Sequence, residues 1–182
     1  MASDLVHHGQ SFDDQPLGFG TLAIHLGNGV DAETGAIRRP ITLANAYALP
    51  YDASALAIAK HLESLDVVRF VAYPGLESHL HHEVAASQLA RPDSGFGGVL
   101  SFGLHADHDT YNRFVSHLKV ITSAVSLGHD ESLIVFLGEN DERQYLYPEE
   151  FHGGFFRFSV GIEDAEDIIA DLEQAFAKEG LL

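Results

Sequence analysis

FFRFSVGIEDAEDIIADLEQAF, residues 155–176, decides the fold. Its first six residues alternate as a strand with two unlike faces: Phe156, Phe158 and Val160 on one, Phe155, Arg157 and Ser159 on the other. Gly161 breaks the run, and Glu163 or Asp164 is placed to cap the helix that follows. Ile168, Ile169, Leu172, Ala175 and Phe176 then recur at helical spacing. Glu163, Asp164, Glu166 and Asp167 load its start with negative charge, which suits the positive end of a helix dipole. The stretch therefore reads as strand, turn and helix, with an arginine set among phenylalanines. A guanidinium in apolar surroundings needs an anion, because burying it unpaired costs several kcal/mol.

The chain around this stretch can supply a core. It has 182 residues, 46% of them hydrophobic, with twelve phenylalanines, enough for one globular domain. No apolar run approaches the ~20 residues of a membrane span. The N-terminal MASDLVHHGQSFDDQP lacks a basic region followed by an apolar core, so no secretory signal is expected and a cytoplasmic address is the default. Cysteine is absent, which removes disulfides, thiolate catalysis and cysteine-ligated metal together. The formal charge of −17 repels nucleic acid and anionic membrane, and neither is expected as a partner. Lysine occurs at Lys60, Lys119 and Lys178 and nowhere else.

Upstream, residues 1–17 read as a flexible leader and 18–52 as an extended arm of turns, with one short helix near residues 21–25. From residue 53 the texture changes. Helices are expected over 53–64, 79–89 and 109–118, and strands over 67–73, 97–104, 121–125 and 132–137. An acidic, aromatic loop over 139–154 leads into the opening stretch. Strands alternating with helices around a short, loop-joined sheet indicate an α/β two-layer sandwich over 53–182, with a mostly antiparallel sheet covered by helices.

Four segments in order, YPGLESHLHHEVAASQ (73–88), SGFGGVLSFGL (94–104), AVSLGHDESLI (124–134) and RFSVGIEDAEDIIADLEQAF (157–176), resemble the C-terminal domain of the cysteine/methionine-metabolism family of PLP-dependent enzymes. That family includes cystathionine γ-synthase and γ-lyase, methionine γ-lyase and O-acetylhomoserine sulfhydrylase. GFGTLAIHLGNGVDAETGAIRRPITLANAYALP (18–50) resembles the same family's N-terminal arm. In the family a large PLP-binding domain separates arm and C-terminal domain; here AYALPYD (46–52) runs directly into ASALAIAKHLES (53–64). The lysine that holds PLP, and the aspartate that faces its ring nitrogen, have no counterpart. The resemblance thus implies a truncated homologue, with no cofactor bound by this chain alone and PLP supplied by a partner chain.

By the same resemblance, Arg157 corresponds to the arginine that grips a substrate's α-carboxylate, and Ser126, Leu127 and Gly128 to the loop lining that substrate. A planar fork of donors on a strand suits a carboxylate. The alternative for Arg157 is an internal ion pair with one of many nearby acids, Glu131 or Glu163 for instance. His129 and Asp130 follow the loop at a position that varies among members. His79, His82 and Glu83, and His105, Asp107, His108 and Asp109, bring metal-ligating types together, but no spacing matches a known ligand motif and structural roles are favoured. Tyr145, Tyr147, Phe151, Phe155 and Phe156 read as core rather than pocket lining. The stretch VFLGENDERQYLYPEEFHGG (135–154) replaces the family's usual sequence after the SLG loop.

Two roles of different kinds follow. One is a part-subunit that lends Arg157 and the Ser126–Gly128 loop to a separate PLP-binding chain acting on sulfur amino acids or O-activated homoserine. The other is a non-catalytic module for homo-oligomerisation, regulation or amino-acid binding.

Overall fold

The computed structural model describes residues 11–12, 15–16, 51–89, 95–138 and 144–182. Within them, β1 (Ser11–Phe12) and β2 (Gln15–Pro16) pair antiparallel with each other. The remaining strands are β3 (Val68–Ala72), β4 (Val99–Leu104), β5 (Thr122–Ser123), β6 (Leu133–Leu137) and β7 (Phe155–Ser159), joined in one sheet of order β3-β4-β7-β6-β5. Every neighbouring pair in it is antiparallel except β5 with β6. Four helices accompany it: α1 (Tyr51–Glu63), α2 (His82–Leu89), α3 (His108–His117) and α4 (Ala165–Lys178). The expected two-layer α/β sandwich with a mostly antiparallel sheet is what forms. The leader, arm and short helix expected before residue 51 lie outside the described residues, apart from β1 and β2.

Alternation along β7 builds the core. Phe156 and Phe158 are fully buried against α1, α3 and α4, which contribute Ile58, Leu62, Phe114, Ile168, Leu172 and Phe176 among others. Phe156 is the hub, with ring centres 5.1 Å from Phe102, 5.0 Å from Tyr111, 5.3 Å from Phe114 and 5.7 Å from Phe136. Each such side chain contributes roughly 2–3 kcal/mol by leaving water. By contrast α2 buries no residue, and Leu80, Val84 and Leu89 on and before it are exposed.

Two buried carboxylates hold the loops. Asp171 on α4 accepts the N–H groups of Lys119 (2.8 Å), Val120 (2.8 Å) and Ile121 (2.9 Å), fixing the chain between α3 and β5. Burial pushes the Asp171 carboxyl up, and those backbone donors pull it back. Glu163 accepts Ser132 N–H at 2.7 Å and the Ser132 hydroxyl at 3.0 Å, tying the start of β6 to the turn after β7.

Three expectations change. Asp164 is the N-cap of α4 but makes no side-chain capping bond, and Glu163, the other candidate, bonds Ser132 instead. The strand expected over 121–125 is only Thr122–Ser123, since Val125 leaves the ladder to meet Arg157. The helix expected from residue 79 begins at His82, the preceding residues being held in successive turns.

Candidate functional site

Among the described residues, the sheet face turned away from the helices is covered at both ends and open between them. At the end where β7 begins, Phe151 and Tyr147 stand edge-on over Phe155, with ring centres at 4.7 and 5.4 Å. At the end where β7 finishes, residues 125–128 lie close enough to bond Arg157 and Ser159. Between these covers is a window. The register sets Ser101 and Val135 on either side of Arg157, and Val99 beside Ser159. Arg157, Ser101 and Val135 are half-buried, and Val99 is 40% exposed.

Among the described residues, Arg157 is held in this window by backbone carbonyls. Its Nη2 donates to the carbonyls of Val125 at 2.6 Å and Ser126 at 2.7 Å. Its Nε is buried without a hydrogen-bond partner. No carboxylate among the described residues pairs with it. The ion pair weighed as the alternative is therefore absent there: Glu163 bonds Ser132, and Glu131 lies 3.8 Å from the His129 imidazole. What remains is a positive charge aimed by two fixed carbonyls and not neutralised by a neighbouring acid, which is the state a carboxylate ligand would relieve.

The loop beside it is built to match. Gly128 takes φ +69°, a conformation other residues enter at a cost, and so turns the chain at the end of the loop. Its N–H donates to the Ser159 hydroxyl at 3.0 Å, and Ser159 is itself buried. Alternate positions of one strand, Arg157 and Ser159, thus hold both ends of the 125–128 segment. The structure brings Arg157, Ser126 and Gly128 together; Leu127 points outward and is 55% exposed. His129 and Asp130 pair directly after the loop. The Val125 carbonyl and Ser159 were missed by sequence reasoning. Ser159 had a signal, since alternation puts it on the arginine's face, but its partner is 31 residues away.

Three of the histidines and acids weighed as metal ligands, His79, His82 and Asp107, make bonds of another kind. His82 Nδ1 meets the Pro74 carbonyl at 2.8 Å, and its ring stacks on Phe96 at 5.5 Å. His79 Nδ1 accepts the His81 N–H; burial and the neighbouring imidazoles of His81 and His82 push its pKa down. Asp107 caps α3 by accepting the Thr110 N–H at 2.8 Å. No three His, Asp or Glu side chains converge among the described residues. Of the aromatic group, Phe155 and Phe156 are core, Tyr147 and Phe151 are half-buried, and Tyr145 is 80% exposed.

Residues 49–177 match the model of the Cys/Met metabolism PLP-dependent enzymes. The chain belongs to this family. It is 52% identical over 124 residues to a canavanine γ-lyase of Pseudomonas canavaninivorans, covering 67% of this chain and 30% of that protein. It is 38% identical over 133 residues to a cystathionine β-lyase of Lactococcus lactis subsp. cremoris, covering 71% and 34%. Among solved structures it resembles a cystathionine γ-synthase from Xanthomonas oryzae pv. oryzae in complex with aminoacrylate and cysteine. The TM-score is 0.58 at 32% identity, over 71% of this chain and 34% of that one. The chain spans about a third of the length of the curated relatives it matches.

The family is PLP-dependent, which makes the lysines decisive, because that cofactor is held through a lysine. Lys60 on α1 and Lys178 on α4 are exposed in the helical layer, and exposed Lys119 lies between α3 and β5. None adjoins the window. Among the described residues no lysine stands on the strands that form the window, so these residues do not fit PLP. Nor is any helix among them long and apolar enough to cross a membrane.

Proposed function

We propose that this chain is a part-subunit that grips the α-carboxylate of an amino-acid substrate for a separate PLP-binding chain of the same family. The observation that carries the reading is Arg157: a guanidinium fixed by the Val125 and Ser126 carbonyls, with no carboxylate among the described residues paired with it. In this role the chain binds and orients. Arg157 takes the carboxylate, and Gly128, held by Ser159, brings the loop backbone against the same group. The partner supplies PLP and the lysine that holds it.

Family membership supports substrates with a heteroatom leaving group on the β or γ carbon, namely sulfur amino acids and O-activated homoserines. The canavanine γ-lyase relative supports the oxygen-substituted class in particular, because canavanine carries its guanidino group on a homoserine oxygen. Elimination or replacement at that carbon is the reaction type proposed.

Mixing the purified chain with a PLP-binding chain of the family tests this. The expected result is a co-eluting yellow complex that turns over canavanine, O-acetylhomoserine or cystathionine, where neither chain does so alone. Co-elution without turnover, or no association, contradicts the reading. The apolar rim of the window, Val99 and Val135, supports a second reading in which another copy of this chain covers it and the protein acts as a homo-oligomeric or regulatory module. A stable homo-oligomer that excludes the PLP-binding chain favours that outcome.

A further inference from the structure

A second guanidinium lies near the other end of β7, about three residues or roughly 10 Å along the strand from Arg157. Arg69 sits where β3 slips register against β4, between Val68 and Phe70. Its Nη2 donates to the Gly154 carbonyl at 2.9 Å, and its Cζ lies 5.5 Å from the centre of the Phe70 ring. Its Nε is buried without a hydrogen-bond partner. No carboxylate among the described residues pairs with it. The space is made for it: a Cβ at Gly153 would stand 2.2 Å from Nη1, and one at Gly103 2.9 Å from Nη2. In a chain with a net charge of −17, a half-buried arginine that no acid among the described residues pairs with is out of character.

Next to it opens a cleft of about 480 Å³, lined by Arg69, Ala106, Asp107, His108, Asp109 and Gly153. Hydrogen bonding to Thr110 holds the Asp107 carboxyl below the usual carboxylate range, so it is ionised at neutral pH. Asp109, in the first turn of α3, is exposed on the same rim. The lining therefore carries both signs of charge. A simple anion entering the cleft meets two carboxylates, and a simple cation meets Arg69. A small molecule carrying both charges satisfies each wall, and the volume is many times the ~30 Å³ of one water.

We propose that this cleft binds a free α-amino acid, its carboxylate toward Arg69 and its ammonium toward Asp107 and Asp109. The site is separate from the Arg157 window and does not depend on the role assigned there. An occupant would brace the 152–154 turn, from which β7 enters the sheet.

The test uses the full chain carrying Arg157→Gln, so that the window contributes nothing. Calorimetric titration with L-methionine, N-acetyl-L-methionine and L-methioninamide should show saturable binding of the first, weakened about tenfold or more when either charge is blocked. Arg69→Gln should abolish the binding, and Asp109→Asn, a change on an exposed side chain that leaves folding intact, should weaken it several-fold. If Arg69→Gln lowers the thermal midpoint sharply, Asp109→Asn and the two blocked ligands still decide. Absence of saturation below about 10 mM, equal binding of the N-acetyl compound, or indifference to Asp109→Asn would each overturn the proposal.

Discussion

One strand presents two surfaces with opposite purposes. On the helical side of β7, Phe156 and Phe158 are fully buried, and Phe156 touches aromatic rings from strands and helices alike. On the other side, Arg157 and Ser159 make polar bonds to a single exposed loop and leave part of the sheet uncovered. The first face is filled with groups that have nothing left to bond. The second holds a charge that the described residues do not neutralise. Stability and the proposed ligand recognition are thus divided between even and odd positions of the same five residues, which makes them separable by substitution.

The largest effect expected on the filled face is that of Phe156→Ala. Removing the hub of the aromatic cluster should cost about 3–5 kcal/mol in urea unfolding; a loss below about 1 kcal/mol would mean the core closes over the gap and the hub is not central. Next is Asp171→Ala, which strands the N–H groups of residues 119–121 in a buried loop and should cost about 2–4 kcal/mol by the same measurement. On the open face, Ser159→Ala removes one buried acceptor and should cost about 1 kcal/mol. It should also sharpen exchange broadening at Gly128 in amide NMR spectra, which a uniformly distributed loss of stability would not.

The smallest effect is a pH dependence far from the window. Burial pushes the Glu179 carboxyl up, but hydrogen bonds from Arg113 and His117 prevail and leave it below its ordinary value of 4.5. A carboxyl depressed by folding contributes stability above its unfolded pKa and loses it as pH falls through the folded one. Asp171, raised by burial, changes in the opposite sense, so the comparison is native chain against Glu179→Gln. The gap between their thermal midpoints should narrow as pH falls below 4.5. A gap constant across that range would remove the titration from the account.

Much of this division was legible in residues 155–176. The switch from a period of two to a helical period announced β7 and α4, and alternation already set Arg157 apart from Phe156. What could not be read was anything that depended on partners distant in sequence. Glu163 looked like a cap because it precedes a helix; its bond to Ser132, 31 residues away, depends on β6 lying beside β7. Residues 121–125 looked like a strand because they are mostly apolar; Val125 departs because Arg157 captures its carbonyl. The sheet order β3-β4-β7-β6-β5 is likewise a matter of which strands meet. Arg69 drew no notice, since a bulge and two glycines from distant segments are needed to see how it is held.

The central claim is that Arg157 is kept for a ligand rather than for the fold. Arg157→Ala tests it with two readouts on one protein: unfolding free energy of the chain, and steady-state kinetics of the chain mixed with the PLP-binding chain proposed as its partner. The account predicts a stability change within about 1 kcal/mol together with a roughly 100-fold fall in kcat/KM, carried chiefly by KM and only slightly recovered by Arg157→Lys, whose point charge lacks the fork. An assembly that turns over substrate unchanged, or a chain that unfolds without Arg157, would contradict it.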